Sequence, residues 1–389
     1  MDSLIVYCAM SEPAAPQTPR MQSVLVTGGA GFLGRALLRE LRKPAREGFT
    51  PPDEIRVYDR RRLEGNDAVG VESIVGDIRS ADDVLAACRG VDVVFHAASL
   101  VDYGHASEGL LEAINVGGTH NVIRACREAG VRGLVHTSTM DVVYGARPIV
   151  DGDETLPYPR RYADAYARSK ALAEQAAIRA NGAARAPLNG EAAADARLRT
   201  CAIRPCGMYG EADPYHVSSV LRMLQAGRLT ARVGDGRAAF QHVYVGNVAH
   251  AHTLAAAHLL EPRSPIPGEI YLVTDFPALN FFDFMAPLVS RLGYTMPPRS
   301  RSVPYPIAFA AGAALEFAAK LCRPLFVFQP PLTRSSVRVV CQDLRFVGDK
   351  AARDLGYRPL YSEAESLERT VDWFAAHGAV ASPALPLTE

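Results

Sequence analysis

Residues 24–34, Val24-Leu25-Val26-Thr27-Gly28-Gly29-Ala30-Gly31-Phe32-Leu33-Gly34, decide the fold. A short strand-forming run enters a turn with glycines at 28, 31 and 34, and helical spacing follows over 32–42. Three glycines alone would be an ordinary structural turn. Strand, glycine turn and helix in that order give each glycine a task. Gly28 makes a tight turn, Gly31 lets backbone approach a pyrophosphate, and Gly34 lets the helix pack close on the strand. The phosphates are then expected at the helix start, around Phe32 and Leu33, where free N–H groups and the helix dipole favour negative charge.

Outward from this turn, strand-like runs recur at 55–59 (IRVYD), 72–75 (ESIV), 91–96 (VDVVFH), 134–137 (LVHT) and 200–203. Helical spacing fills 82–88, 114–129 and 162–181. Near-continuous Val/Ile/Leu strands alternating with helices predict an α/β protein with a Rossmann-type, doubly wound parallel sheet. Residues 1–20 read as a proline-bearing flexible leader and 21–205 as the dinucleotide-binding domain. A smaller, mixed substrate-binding lobe is expected over 206–380, with a segment near 240–275 returning to the sheet. Residues 181–198 carry Gly, Pro and Asn and no β-branched residue, so a surface loop is expected there.

Asp59 ends the second strand, 25 positions after Gly34. A carboxylate there accepts the ribose hydroxyls of NAD, although it also fits a plain strand-end turn. Arg60, Arg61 and Arg62 follow and keep NADP open, because guanidinium groups hold a 2′-phosphate. Asp77 and Ile78 follow the third strand, where a side chain reaches the adenine. Ala97 and Ala98 follow the fourth, where small residues let a cofactor pass. Each alone reads as structural; their place at successive carboxyl ends of parallel strands raises all of them.

Tyr166 and Lys170 stand four apart and share one helix face. A free phenol titrates at about 10, too high for a base at neutrality, and a nearby cation favours the phenolate. Lowering it by three units corresponds to about 4 kcal/mol, which Lys170 and a nicotinamide charge together are expected to supply. Tyr166 then takes a hydroxyl proton while hydride leaves for the nicotinamide. The bare Tyr-x-x-x-Lys pattern usually marks a solvated face. Its weight comes from Thr137-Ser138-Thr139 at the end of the fifth strand, where a hydroxyl of Ser138 or Thr139 can orient the substrate oxygen or simply cap a turn. Asn115 sits in a helical pattern that disfavours Asn, and is expected either to hold a proton-relaying water or to pack.

Composition narrows the alternatives. Lys plus Arg and Asp plus Glu both count 42, so no field attracts nucleic acid. Seven widely spaced cysteines without CxxC argue against a disulfide scaffold or a zinc site and fit a cytoplasmic protein. No metal is expected, and there is no HExxH, phosphate-binding Gly-Lys-Ser/Thr or Gly-x-Ser-x-Gly. Residues 4–10 are apolar but too short and lack basic flanks for a signal peptide. Residues 304–328 are interrupted by Glu316, Lys320 and Arg323, so a span of about 20 apolar residues is not expected. A helix lying on a bilayer, a roof over an apolar pocket and an ordinary core helix all remain open.

TGGAGFLG at 27–34, HAAS at 96–99, NVGGT at 115–119, HTST at 136–139 and YARSK at 166–170 resemble an extended short-chain dehydrogenase/reductase. TCAIRPCGMYGE at 200–211, HVYVGNVAHAH at 242–252, RPLFVFQPPLTR at 323–334 and KAARDLGYRPLYS at 350–362 resemble the 3β-hydroxysteroid dehydrogenase family, sterol-4α-carboxylate 3-dehydrogenases included. The resemblance implies bound NAD or NADP, catalytic Thr139, Tyr166 and Lys170, and Pro205 near the nicotinamide. It further implies oxidation of a sterol 3β-hydroxyl to a ketone, with double-bond isomerisation or 4-decarboxylation in some members. Peripheral membrane contact and a homodimer are carried as expectations. A 3-oxo lipid or nucleotide-sugar substrate, and a non-catalytic dinucleotide-binding regulator, are the competing readings.

Overall fold

Val24 and Val26 are buried on one side of the first strand and Leu25 on the other, so both faces of that strand are covered. The same two-sided burial holds for Val93, Val94 and Phe95, which is the signature of a parallel sheet between helix layers. The computed structural model describes residues 20–380 except 47–48, 103–105, 189–190, 195 and 323–331. The expected leader, apart from Arg20, and most of the stretch at 323–334 lie outside the described residues.

Seven strands form the sheet: β1 (Ser23–Thr27), β2 (Glu54–Asp59), β3 (Glu72–Val75), β4 (Val93–His96), β5 (Gly133–Thr137), β6 (Arg199–Pro205) and β7 (Ile270–Val273). All pair in parallel, in the order β3-β2-β1-β4-β5-β6-β7. The winding reverses between β1 and β4, and such a reversal opens a crevice at the carboxyl ends of the strands.

Helix α1 (Phe32–Leu41) covers one face through Leu33, Leu37 and Leu41. On the other face α2 (Ala81–Cys88) and α3 (Gly118–Ala129) pack together, with α4 (Ala165–Arg179) beside them through Ala176. The apolar cluster under α1 continues without a break through α5 (Val217–Gln225), α6 (Val245–Leu260) and α7 (Phe281–Arg291). The segment after Pro205 therefore shares its core with the sheet.

Three local differences from the expected elements have physical causes. The 114–129 helix opens with a wide π turn over Glu112–Gly117, which brings Asn115 into reach of two other segments. Helix α4 starts at Ala165 because Asp164 is extended and its carboxylate accepts the Ala167 N–H at 2.8 Å. The 181–198 segment is not simply a surface loop: Ala184 bridges Arg197, and Ala196 and Leu198 are fully buried.

Helix α8 (Tyr305–Cys322) is not an ordinary core helix. Ile307, Phe317 and Leu321 on it are 61%, 70% and 70% exposed. Among the described residues no helix is long and apolar enough to cross a membrane.

Candidate active site

The glycine turn is built for close approach. Gly28 has φ +73°, its N–H donates to the Tyr58 carbonyl at 2.8 Å, and a Cβ there would lie 2.7 Å from the Ala98 nitrogen. Only glycine adopts that conformation against that neighbour without strain. A Cβ on Gly34 would collide with the Gly28 carbonyl, so the third glycine seats α1 on the turn. Gly31 is the N-cap of α1 and offers no side chain, and the first turn carries no acidic residue. The opening amides, those of Phe32 and Leu33 among them, are thus left to an outside anion, which fits a pyrophosphate.

Asp59 extends from β2 to the same turn, accepting the Ala30 N–H at 3.1 Å and the Arg61 N–H at 2.9 Å. Arg60, Arg61 and Arg62 are exposed beside it. Asp77 pairs with Arg79 at 2.9 Å, and that guanidinium holds its carboxyl below the usual range. Its carbonyl accepts the Tyr58 hydroxyl at 2.8 Å. Ile78 is buried, and its side chain leaves room only for glycine at position 118. Ala97 donates to the Thr27 carbonyl at 3.1 Å, which ties β4 to the turn.

At the carboxyl end of β5 the catalytic candidates converge. Tyr166 and Lys170 are buried on α4, and the Thr139 hydroxyl acts on the Tyr166 phenol to oppose the rise in its pKa. Lys170 Nζ donates to the Thr137 carbonyl at 2.7 Å, and burial pushes its pKa down to about 8. The Ser138 hydroxyl is buried with no partner among the described residues. The Asn115 amide joins the Leu100 backbone (2.8 and 3.1 Å) to the Ser169 hydroxyl (2.9 Å). Pro205 ends β6, in register with Val273.

Burial, rather than the Tyr-x-x-x-Lys spacing, dominates the phenol's titration in the chain itself. Its pKa is pushed well above 10, first by burial, then by Asp141, Tyr215 and Asp164, and the Thr139 hydroxyl only partly opposes this. Burial dominates this shift, and one of the three Lys170 N–H groups donates to the Thr137 carbonyl.

Several residues at the site were not singled out from the sequence. Thr139 Oγ1 donates to Asp141 Oδ2 at 3.0 Å and accepts the Asp141 N–H at 3.2 Å. Burial and the neighbouring Asp164 push the Asp141 carboxyl up to about 7. The Thr139-x-Asp141 spacing was the available signal. His96 joins Thr27 (2.8 Å) to Thr119 (2.9 Å) under the site, and burial holds its pKa down at about 3, so the ring is neutral. Nothing local marks that histidine.

The family description 3-beta hydroxysteroid dehydrogenase/isomerase matches residues 25–304. This chain belongs to that family. The mouse protein "Short-chain dehydrogenase/reductase family 42E member 1" is 35% identical, covering 95% of this chain and 90% of the relative. The "3beta-hydroxysteroid-dehydrogenase/decarboxylase isoform 1" of Arabidopsis thaliana is 32% identical over 94% of this chain and 82% of its own. Among solved structures, a dTDP-glucose 4,6-dehydratase double mutant from Streptomyces venezuelae, with NAD and DAU bound, superposes with a TM-score of 0.65. It is 25% identical and covers 91% of this chain and 97% of that one. As a 3-beta hydroxysteroid dehydrogenase/isomerase family member, the protein is an extended short-chain dehydrogenase/reductase, an NAD(P)-dependent oxidoreductase acting on CH–OH groups.

Proposed function

We propose that the protein oxidises the 3β-hydroxyl of a sterol to a 3-ketone. The observation that carries this reading is the burial of Tyr166, with Lys170 one turn along the same helix, beside the Thr139 hydroxyl at the carboxyl edge of the sheet. NAD bound along the glycine turn supplies the hydride acceptor and a positive ring charge. The Phe32 and Leu33 amides would hold its pyrophosphate and Asp59 its ribose, Asp77 with Ile78 would border the adenine, and Ala97 and Ala98 would leave it room. Thr139 and Tyr166 grip the substrate hydroxyl, and Tyr166 takes its proton as hydride departs. Lys170 holds the end of β5 in place and supplies a cation near the phenol. Asn115 acts by positioning, since its amide locks the π turn to Leu100 and Ser169. Ser138 offers a second hydroxyl without a protein partner among the described residues.

Segments after Cys206 supply the substrate-binding half in this reading. The apolar residues on α8 support peripheral contact with a bilayer, where sterols reside, and liposome co-sedimentation measures it. Decarboxylation of a 4-carboxysterol is a second reading, favoured by the decarboxylase relatives. A 3-ketone beside a 4-carboxylate is a β-keto acid and loses carbon dioxide readily, so oxidation alone drives it. The test is incubation with NAD and 3β-hydroxysterols, with and without a 4-carboxylate, followed by mass analysis. A product lighter by two hydrogens supports oxidation; one lighter by two hydrogens and carbon dioxide adds decarboxylation. No turnover of any sterol rejects the reading.

A further inference from the structure

The turn after β5, Met140–Val143, buries three of its four side chains. Met140, Val142 and Val143 join the apolar core, and only Asp141 is left partly open. One oxygen of its carboxyl, Oδ2, accepts the Thr139 hydroxyl at 3.0 Å, while Oδ1 has no partner among the described residues. The turn itself does not need that carboxyl. Thr139 caps it by accepting the Asp141 backbone N–H at 3.2 Å, a bond that almost any residue at 141 would make. A carboxyl held in so enclosed a place, with no ion pair among the described residues, costs stability, and capping does not account for it.

We infer that Asp141 moves protons at the carbon beside the substrate ketone, through the oxygen that Thr139 leaves free. The inference rests on the oxidation proposed above, which sets the substrate oxygen at the Thr139 hydroxyl. The α-carbon of a ketone lies two bonds from its oxygen, and Asp141 lies one hydrogen bond from Thr139, so the two come within reach of each other. As base, Oδ1 takes the α-proton. The C–H bond breaks and an O–H bond forms on Asp141. The C–H electron pair becomes a C=C bond, and the carbonyl π pair settles on oxygen as an enolate. Returning a proton to the same carbon reverses every change. Loss of carbon dioxide from a 4-carboxylate leaves the same enolate, and the protonated Asp141 then supplies the hydrogen at carbon 4. No oxidant or further reactant enters.

The surroundings suit both halves of that cycle. Asp141 is faced by Asp164 and Tyr166 at the start of α4, by Cys206 beyond β6, and by Tyr144 on its own segment. Arg338 on α9 (Arg334–Cys341) acts on Tyr144. Burial and Asp164 hold the Asp141 carboxyl near 7, so both of its forms are present at neutrality, as a group that takes and returns a proton requires. The phenol plays the complementary part. Once the alcohol is oxidised it carries the alcohol's proton, its raised pKa keeps that proton in place, and the O–H donates to the enolate oxygen.

Isotope exchange on the full chain tests it. With NAD and a saturated 3-ketosteroid in heavy water, wild type should place deuterium on a carbon beside the ketone, read by mass and by proton NMR. Hydride transfer from NADH to the same ketone is measured in parallel. Asp141→Asn should lower the ratio of exchange to hydride transfer roughly tenfold or more, and Asp141→Glu should recover part of it. A carboxyl that only steadied the turn would lower both rates together and leave the ratio alone. NAD-induced thermal stabilisation confirms that each variant is folded. A wild type that reduces the ketone without exchanging deuterium, or an Asp141→Asn protein with an unchanged ratio, overturns the inference and leaves the oxidation standing. Absence of hydride transfer to or from every sterol removes the substrate reading, and this inference with it.

Discussion

Glu174 takes two hydrogen bonds, of 2.7 and 2.8 Å, from the Arg204 guanidinium, and both side chains are sealed from solvent. The pair joins α4, one turn beyond Lys170, to β6, one residue before Pro205. Tyr158 adds a third bond to the same carboxylate at 2.6 Å. The helix that carries Tyr166 and Lys170 is thereby fixed against the strand that ends at Pro205. Breaking one member leaves the other charge buried, so Glu174→Gln should cost about 3–5 kcal/mol in denaturant unfolding. Glu174→Gln should also lower kcat, since the register of α4 depends on the pair.

The three hydroxyls of the site should separate by role. Tyr166→Phe should reduce kcat/KM by about 10³-fold while NAD still raises the melting temperature. Thr139→Val should lose roughly 100-fold. Ser138→Ala, which removes a hydroxyl with no partner among the described residues, should cost much less. Steady-state kinetics on the three variants tests the order, and a larger loss for Ser138→Ala than for Thr139→Val would reassign the substrate contact.

Asp59 should set cofactor choice. Its carboxylate beside the glycine turn repels a 2′-phosphate, whereas Arg60, Arg61 and Arg62 attract one. Asp59→Ser should shift the NAD-to-NADP ratio of kcat/KM towards NADP by about tenfold or more, equivalent to some 1.4 kcal/mol. An unchanged ratio would place the selecting group elsewhere.

Gly34→Ala should show how closely the turn is seated. The added methyl meets the Gly28 carbonyl rather than a movable side-chain tip, so about 1–3 kcal/mol of stability should be lost. NAD should no longer protect the variant against heat. Thermal scans with and without NAD measure both effects.

Stability should also respond to pH through Asp141. Its folded pKa, about 7, lies above the ordinary 3.8, so the folded state favours the protonated form. Its contribution is therefore intact below pH about 4 and declines as the pH rises towards 7. Asp141→Asn should remove that decline. The variant's advantage over wild type should be absent at pH 4 and reach at most about 4 kcal/mol above pH 7 in denaturant titrations.

Much of the sheet could be read from the chain because its strands are locally self-declaring. Val24 to Val26 and Val93 to Phe95 are apolar on both faces, and the glycine turn has few other uses after a strand. The helix start at Ala165 was less legible: Tyr162 and Ala163 suit a helix, and only the extended Asp164 stops it. The π turn depends on Asn115 reaching Leu100 and Ser169, contacts that no window of sequence contains. The burial that raises the phenol was illegible for the same reason. Spacing reported Lys170, whereas burial and Asp141 come from the folded surroundings.

The seventh strand returns late. Ile270–Val273 pairs with β6 some 65 residues further along the chain, and α6 reaches the same layer before it. A fragment cut after Pro205 would leave a raw β6 border whose exposed N–H and C=O groups invite another chain. Such a truncation should come out of expression as aggregate, and any workable excision must carry residues to at least Val273.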